Sequence, residues 1–200
     1  MDEYKIRMAL TEDSDEILGI YAPYIEKTAY TFEYEVPTKE EFKDRVMGIM
    51  KSFPYLVCTY NDEIIGYAYA SKERDRAAYQ WNAELSVYTK MGLDKRGVGK
   101  ALYSSLIDIV KHQNISTLYA GHISSNEQSR KLHEYFGFTE MATIKAHGFK
   151  LGSWHDGVRY QKVIGDKSVA PKPFIPIEMV DPDVIREILT RHSMGLNRHI

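Results

Sequence analysis

Apolar and polar positions recur with two different periods along this chain, and the switches between them predict its elements. Tyr4 to Leu10 alternates as a strand. Ile17, Leu18, Ile20, Tyr21 and Ile25 then recur as one face of a helix, with Thr11 as its N-cap and acids close behind. Tyr30 to Tyr34 reads as an aromatic-rich loop. Pro37-Thr38-Lys39-Glu40-Glu41 opens a second helix, with Thr38 and Glu41 spaced as a capping box and Phe42, Val46, Ile49 and Met50 as its buried face. Two strands follow, Tyr55 to Tyr60 and Ile64 to Ser71, joined by the polar loop Asn61-Asp62-Glu63. A polar stretch, Lys72 to Ala78, leads to a long strand, Tyr79 to Thr89. A helix from Val98 to Lys111, a strand from Thr117 to Ala120 and a helix from Glu127 to Phe136, stopped by Gly137, come next. Phe138 to Ala146 and Val158 to Val163 are the last strands, with glycine-containing chain between them.

This order is not a regular βαβ alternation. It predicts an α/β (α+β) domain over residues 1–165, a mixed and mostly antiparallel sheet flanked by helices. Beyond Gly165 the composition changes. Asp166 to Pro176 holds three prolines, so residues 166–180 read as a linker. Residues 181–200 read as a short helical tail, with Val184, Ile185, Ile188 and Leu189 on one side. Such a tail packs on the domain, reaches a partner subunit or stays partly disordered.

Composition narrows the function classes. A length of 200 residues suits one domain with a small appendage. The formal net charge of −2 gives no electrostatic case for a nucleic acid or an acidic membrane as partner. No apolar run is long enough to span a membrane and the N-terminus shows no signal-peptide pattern. The single cysteine, Cys58, lies in an apolar strand-like run; it reads as a buried small hydrophobe in a reducing, cytoplasmic setting. Fifteen tyrosines point to a pocket or interface wall.

The chemistry concentrates at Asp94-Lys95-Arg96-Gly97-Val98-Gly99-Lys100-Ala101-Leu102, between a strand and a helix. Two glycines one residue apart clear the helix entrance, where free N–H groups and the helix dipole suit phosphate oxygens. Lys90, Lys95, Arg96 and Lys100 add positive charge. The longer spacing of an NTP-binding loop is missing, and Leu102 stands where a dinucleotide fold has its third glycine. A different pyrophosphate ligand remains. Glu84 lies inside an otherwise apolar and aromatic strand, as a partly buried base, as an outward-facing strand residue or as a satisfied structural carboxylate. His147, His155 and Asp156 fit no common metal-ligand spacing, and no metal is expected.

Four segments together resemble the GNAT superfamily of acyltransferases, and within it the phosphinothricin and methionine-sulfoximine N-acetyltransferase group, over about residues 4 to 164. They are the turn just described, Arg76-Ala77-Ala78-Tyr79-Gln80-Trp81-Asn82-Ala83-Glu84-Leu85-Ser86-Val87-Tyr88, Asn126-Glu127-Gln128-Ser129-Arg130-Lys131-Leu132-His133-Glu134-Tyr135-Phe136-Gly137-Phe138, and Gly148-Phe149-Lys150-Leu151-Gly152-Ser153-Trp154-His155-Asp156. The resemblance implies acetyl-CoA as cosubstrate. It implies that Asp94, Lys95, Arg96, Gly97, Val98, Gly99 and Lys100 cradle the pyrophosphate, that Ser86, Val87 and Tyr88 pair with the pantetheine arm, and that Asn126 contacts that arm. It casts Glu84 as general base and His133 as the acid for the departing thiolate. Arg76 and Tyr79, with Phe32, fall where the group forms its acceptor pocket; by charge Arg76 is placed to pair bidentately with an α-carboxylate, with Arg74 and Lys150 adding to it or serving as solvated loop charges. Asp94 departs from the superfamily, which favours Gln or Arg there; the carboxylate is expected to point outward. The group also implies a homodimer.

The reading is thus an N-acetyltransferase for a small amino-acid-like amine. The alternatives are another acceptor (a polyamine, an aminoglycoside or a protein N-terminus) or a non-catalytic acyl-CoA-binding module.

Overall fold

The computed structural model describes residues 3–93 and 97–198. Among these, seven strands form one sheet in the order β1-β2-β3-β4-β5-β7-β6. They are β1 (Tyr4–Met8), β2 (Tyr55–Tyr60), β3 (Glu63–Lys72), β4 (Asn82–Thr89), β5 (Thr117–Ile123), β6 (Thr139–Lys150) and β7 (Ser153–Val163). All neighbours pair antiparallel except β4 and β5, which are parallel. The α/β class with a mixed, mostly antiparallel sheet is therefore as the sequence predicts.

Period-two alternation sorts the side chains to two layers. Leu56, Cys58, Ala68, Ala70, Ala83 and Leu85 join α3 (Val98–His112) and α5 (Pro182–Asn197) in one core, with α4 (Glu127–Tyr135) adding Leu132 at its edge. Tyr55, Val57 and Tyr67 pack against α1 (Ser14–Lys27) and α2 (Lys39–Met50) in the other. The second layer absorbs much of the tyrosine content. Tyr55 stacks on Tyr69 with ring centroids 4.9 Å apart, and Tyr67 stacks on Tyr88 at 5.3 Å. Cys58 is fully buried and its thiol is pushed up to about 12 by burial, which makes it inert.

Local signals hold where they are self-contained. Thr38 accepts from the Glu41 N–H and Glu41 answers with a carboxylate oxygen on the Thr38 N–H, a closed capping box. The β2–β3 turn needs two left-handed residues, and Asn61 (φ 50) and Asp62 (φ 67) supply them.

Several bounds differ from the prediction. Thr11 does not cap α1; it opens a 3-10 turn, and Asp13 instead accepts from the Leu10 N–H and pairs with Arg7. Tyr79 ends a second 3-10 turn, so β4 begins only at Asn82. β6 and β7 continue through the supposed glycine-containing loop as a long hairpin, closed by Leu151 and Gly152 at positive φ. Gly148 and Gly157 are small there for a reason: a Cβ on them would come within 2.6 Å of the Phe32 ring and 2.7 Å of the His147 ring.

The chain after Gly165 lies along the domain. Trp81 Nε1 donates to the Lys172 carbonyl, and Gln113 Nε2 to that of Ile175. Ile188, Leu189 and Leu196 of α5 are buried in the α3-side core.

Candidate active site

β4 and β5 are paired only from Asn82↔Thr117 to Glu84↔Tyr119. Beyond Glu84 the two strands part, and among the described residues the β5-facing backbone of Leu85 to Thr89 has no strand partner. A backbone edge left open in this way accepts an extended ligand as an added strand. The gap widens into a cleft of about 630 Å³. Ser86, Val87, Tyr88, Gly97, Val98, Gly99, Lys100, Asn126 and His133 all line it, so the structure brings these sequence candidates together. Asp94, Lys95 and Arg96 lie outside the described residues.

The cleft runs to the N-terminus of α3, where Gly97 takes φ 80, a left-handed conformation that other residues adopt only with strain. A Cβ on Gly99 would meet nothing within 4 Å, so its hydrogen faces open space. The Lys100 ammonium lies over the Tyr135 ring, 3.7 Å from its centroid, which holds positive charge at the mouth. Asn126 is the N-cap of α4; its Oδ1 accepts from the Ser129 N–H at 3.1 Å.

Three polar atoms in the wall are buried with no hydrogen-bond partner among the described residues: Tyr103 Oη, His122 Nε2 and His133 Nδ1. Leaving such groups unpaired costs about 1–3 kcal/mol each, so each calls for a water or a ligand atom as its partner. His122 Nδ1 lies 2.7 Å from the Ile123 carbonyl oxygen, so it carries the proton and Nε2 is left as an acceptor. The His122 and His133 rings stack with centroids 5.5 Å apart. Burial, helped by His122, pulls His133 down to about 4, so its imidazole is uncharged at neutral pH. Burial raises Tyr103 far above the usual phenol range and keeps its proton in place.

The opposite face of β4 carries the charges. Glu84 Oε1 accepts from Arg159 Nη1 at 2.6 Å, and Arg159 Nη2 lies 3.8 Å from Glu73 Oε1. Glu73 also accepts from Arg74 Nε at 3.1 Å, and the Arg74 guanidinium sits over the Tyr79 ring, 5.3 Å from its centroid. The network therefore links Arg74 and Tyr79 to Glu84. Arg76 is exposed and makes no side-chain ion pair among the described residues. Phe32 packs against Gly148 and the His147 ring and is not among the residues that line the cleft. The adjacent Lys150 is buried, donates to the Thr31 carbonyl and has its pKa lowered by burial.

Sequence reasoning missed Tyr103, His122 and Arg159. Tyr103 reads as one more apolar position of an amphipathic helix. His122 lies past the strand's predicted end at Ala120. Arg159 sits in an alternating strand where a charge reads as solvated.

Comparison with known proteins agrees with this geometry. A family model described as an acetyltransferase (GNAT) domain matches residues 6–158. A phosphinothricin N-acetyltransferase of Streptomyces coelicolor is 33% identical over 164 residues, 80% of this chain and 96% of that protein. An L-methionine sulfoximine/L-methionine sulfone acetyltransferase of Salmonella typhimurium is 32% identical over 167 residues, 83% of this chain and 97% of that protein. A solved GNAT-superfamily phosphinothricin acetyltransferase from Sinorhizobium meliloti, in complex with AcCoA, superposes with a TM-score of 0.81 at 31% identity, covering 90% of this chain and 97% of the other.

Proposed function

Because the chain belongs to the GNAT acetyltransferase family, and is an N-acetyltransferase that uses acetyl-CoA, we propose that its acceptor is the amine of a small amino-acid-like acid of the phosphinothricin or methionine-sulfoximine type. The observation that carries this reading is a carboxylate and a guanidinium held 2.6 Å apart, Glu84 and Arg159, where β4 and β5 part.

Each residue has a task that its surroundings support. The N–H groups at the start of α3, from Gly97, hold pyrophosphate oxygens with help from the helix dipole, and Lys95, Arg96 and Lys100 add charge. Ser86, Val87 and Tyr88 offer backbone groups to the amides of the pantetheine arm, beside Asn126. The cosubstrate supplies the thioester. Glu84 takes the proton that a primary amine carries at neutral pH, directly or through a water. The Val87 N–H and the Tyr103 hydroxyl are donors for the thioester oxygen as it gains charge. The proton that leaves nitrogen as the amide forms departs with the thiol. His133 is neutral in this wall, so it takes part through hydrogen bonds; the acid role the resemblance gives it needs a charge that its burial opposes. Phe32, Arg74, Arg76 and Tyr79 frame the acceptor.

The β6–β7 hairpin exposes Met141, Ile144, Phe149, Leu151 and Trp154, and the reading includes a homodimer through this face. It also places the enzyme in the cytoplasm, with its cosubstrate.

The test is release of free thiol from acetyl-CoA across a panel of amines. Turnover of glutamate analogues and methionine sulfoximine is expected. Turnover confined to polyamines, aminoglycosides or peptide N-termini would contradict the reading, and tight acetyl-CoA binding with no turnover would favour a binding module.

A further inference from the structure

We propose that Arg159 is the specificity-determining residue for the acceptor: its guanidinium fixes the Glu84 carboxylate and receives the acceptor's acid group, so that an amine one carbon from that acid is delivered to Glu84. The inference deepens the functional reading above and rests on it.

Three observations lead there. Arg159 is opposite Gly121 in the β5–β7 ladder, and Gly121 lines the cleft. A Cβ on Gly121 would lie 3.5 Å from both Cδ and Nη1 of Arg159, so the arginine side chain crosses β5 where that strand has no side chain. It ends on Glu84, the last residue of β4 paired to β5. The guanidinium is thus brought from a strand two places away to the point where the cleft opens.

The fork is only partly used. Nη1 donates to Glu84 at 2.6 Å, while Nη2 stays 3.8 Å from Glu73, too far for a hydrogen bond. The side chain keeps about a third of its surface open (34%). Guanidinium donors are rigidly arranged, so a group bound on the remaining donors has a fixed relation to the group on Nη1. In an α-amino acid one carbon joins the amine to the acid. An acid on the open side of Arg159 therefore sets that amine beside Glu84, the geometry a proton transfer requires. The charges agree. Glu73 and Glu84 are balanced by Arg74 and Arg159, so the amine and the acid on one α-carbon, which cancel each other, leave that local balance unchanged. By contrast Arg76 is exposed and unlinked to Glu84.

The experiment compares kcat/KM for an accepted amino acid and for its carboxamide, in the wild type and in the variants Arg159→Gln, Arg159→Lys and Arg76→Gln. The wild type is expected to prefer the acid. In Arg159→Gln the KM for the acid should rise and the acid-to-amide ratio should fall about 10- to 100-fold, with the KM for acetyl-CoA within about twofold. Arg159→Lys, which keeps the charge, should restore part of the ratio. An unchanged ratio in Arg159→Gln, or a collapse in Arg76→Gln alone, would overturn the proposal and leave the acetyltransferase reading standing. If the wild type acetylates neither amino acids nor their amides, the acceptor reading itself is wrong and this proposal falls with it.

Discussion

Asn197, on the last turn of α5, closes two hydrogen bonds on a single residue of the edge strand: its Oδ1 accepts from the Tyr4 N–H at 2.8 Å and its Nδ2 donates to the Tyr4 carbonyl at 2.9 Å. Ser193, one turn earlier, accepts from the Ile6 N–H through Oγ at 2.8 Å. The outer edge of β1 would otherwise present open pairing groups, and two side chains of a helix take the place of a further strand. Tyr4 and Ile6 are both buried, so unpaired groups there are costly. Asn197→Ala is expected to lower stability by about 1–3 kcal/mol, roughly 2–4 °C in Tm for each kcal/mol, with KM for acetyl-CoA unchanged. Thermal unfolding followed by circular dichroism checks it.

The packing of Phe32 on the β6–β7 hairpin is equally specific. Gly148 leaves no room for a methyl group, because a Cβ there would come within 2.6 Å of the Phe32 ring. Gly148→Ala must displace that ring, at about 1–3 kcal/mol of overpacking. The expected kinetic result is a raised KM for the acceptor with little change in KM for acetyl-CoA, since Phe32 is not among the residues that line the cleft running to α3. Steady-state kinetics with each substrate varied in turn gives the answer.

His133 makes stability depend on pH. Its folded pKa is lowered to about 4 from the ordinary 6.5. Between these values the unfolded chain holds a proton that the folded one does not, so stability falls as pH drops through that window and is fully present above about 6.5. The size is about 3 kcal/mol. Denaturant titrations from pH 7 to pH 4 should show this loss in the wild type and a shallower slope in His133→Gln, whose side chain does not titrate.

Much of this was legible in sequence where the signal is local. Thr38 and Glu41 form their box within four residues, and the glycines at 97 and 99 mark a helix entrance whatever surrounds it. The cleft residues Ser86 to Tyr88, Asn126 and His133 came from the resemblance and converge in the structure. What escaped depends on contacts between distant segments. Arg159 reaches Glu84 only because β7 inserts beside β5, a pairing no period reveals. Gly148 and Gly157 read as loop residues, yet they are strand positions crowded by Phe32 and His147. The place of α5 was open because an apolar stripe does not say what it packs against; Ser193 and Asn197, which decide it, read as polar surface.

The central claim is that Glu84, where β4 and β5 part, takes the acceptor's proton. The direct measurement is the pH–rate profile of Glu84→Gln beside the wild type, with calorimetric titration of CoA into both. CoA affinity should agree within about twofold, while kcat/KM near neutral pH falls about 10²- to 10⁴-fold and recovers as rising pH deprotonates the amine in solution. A variant with the wild-type rate and profile would contradict the account.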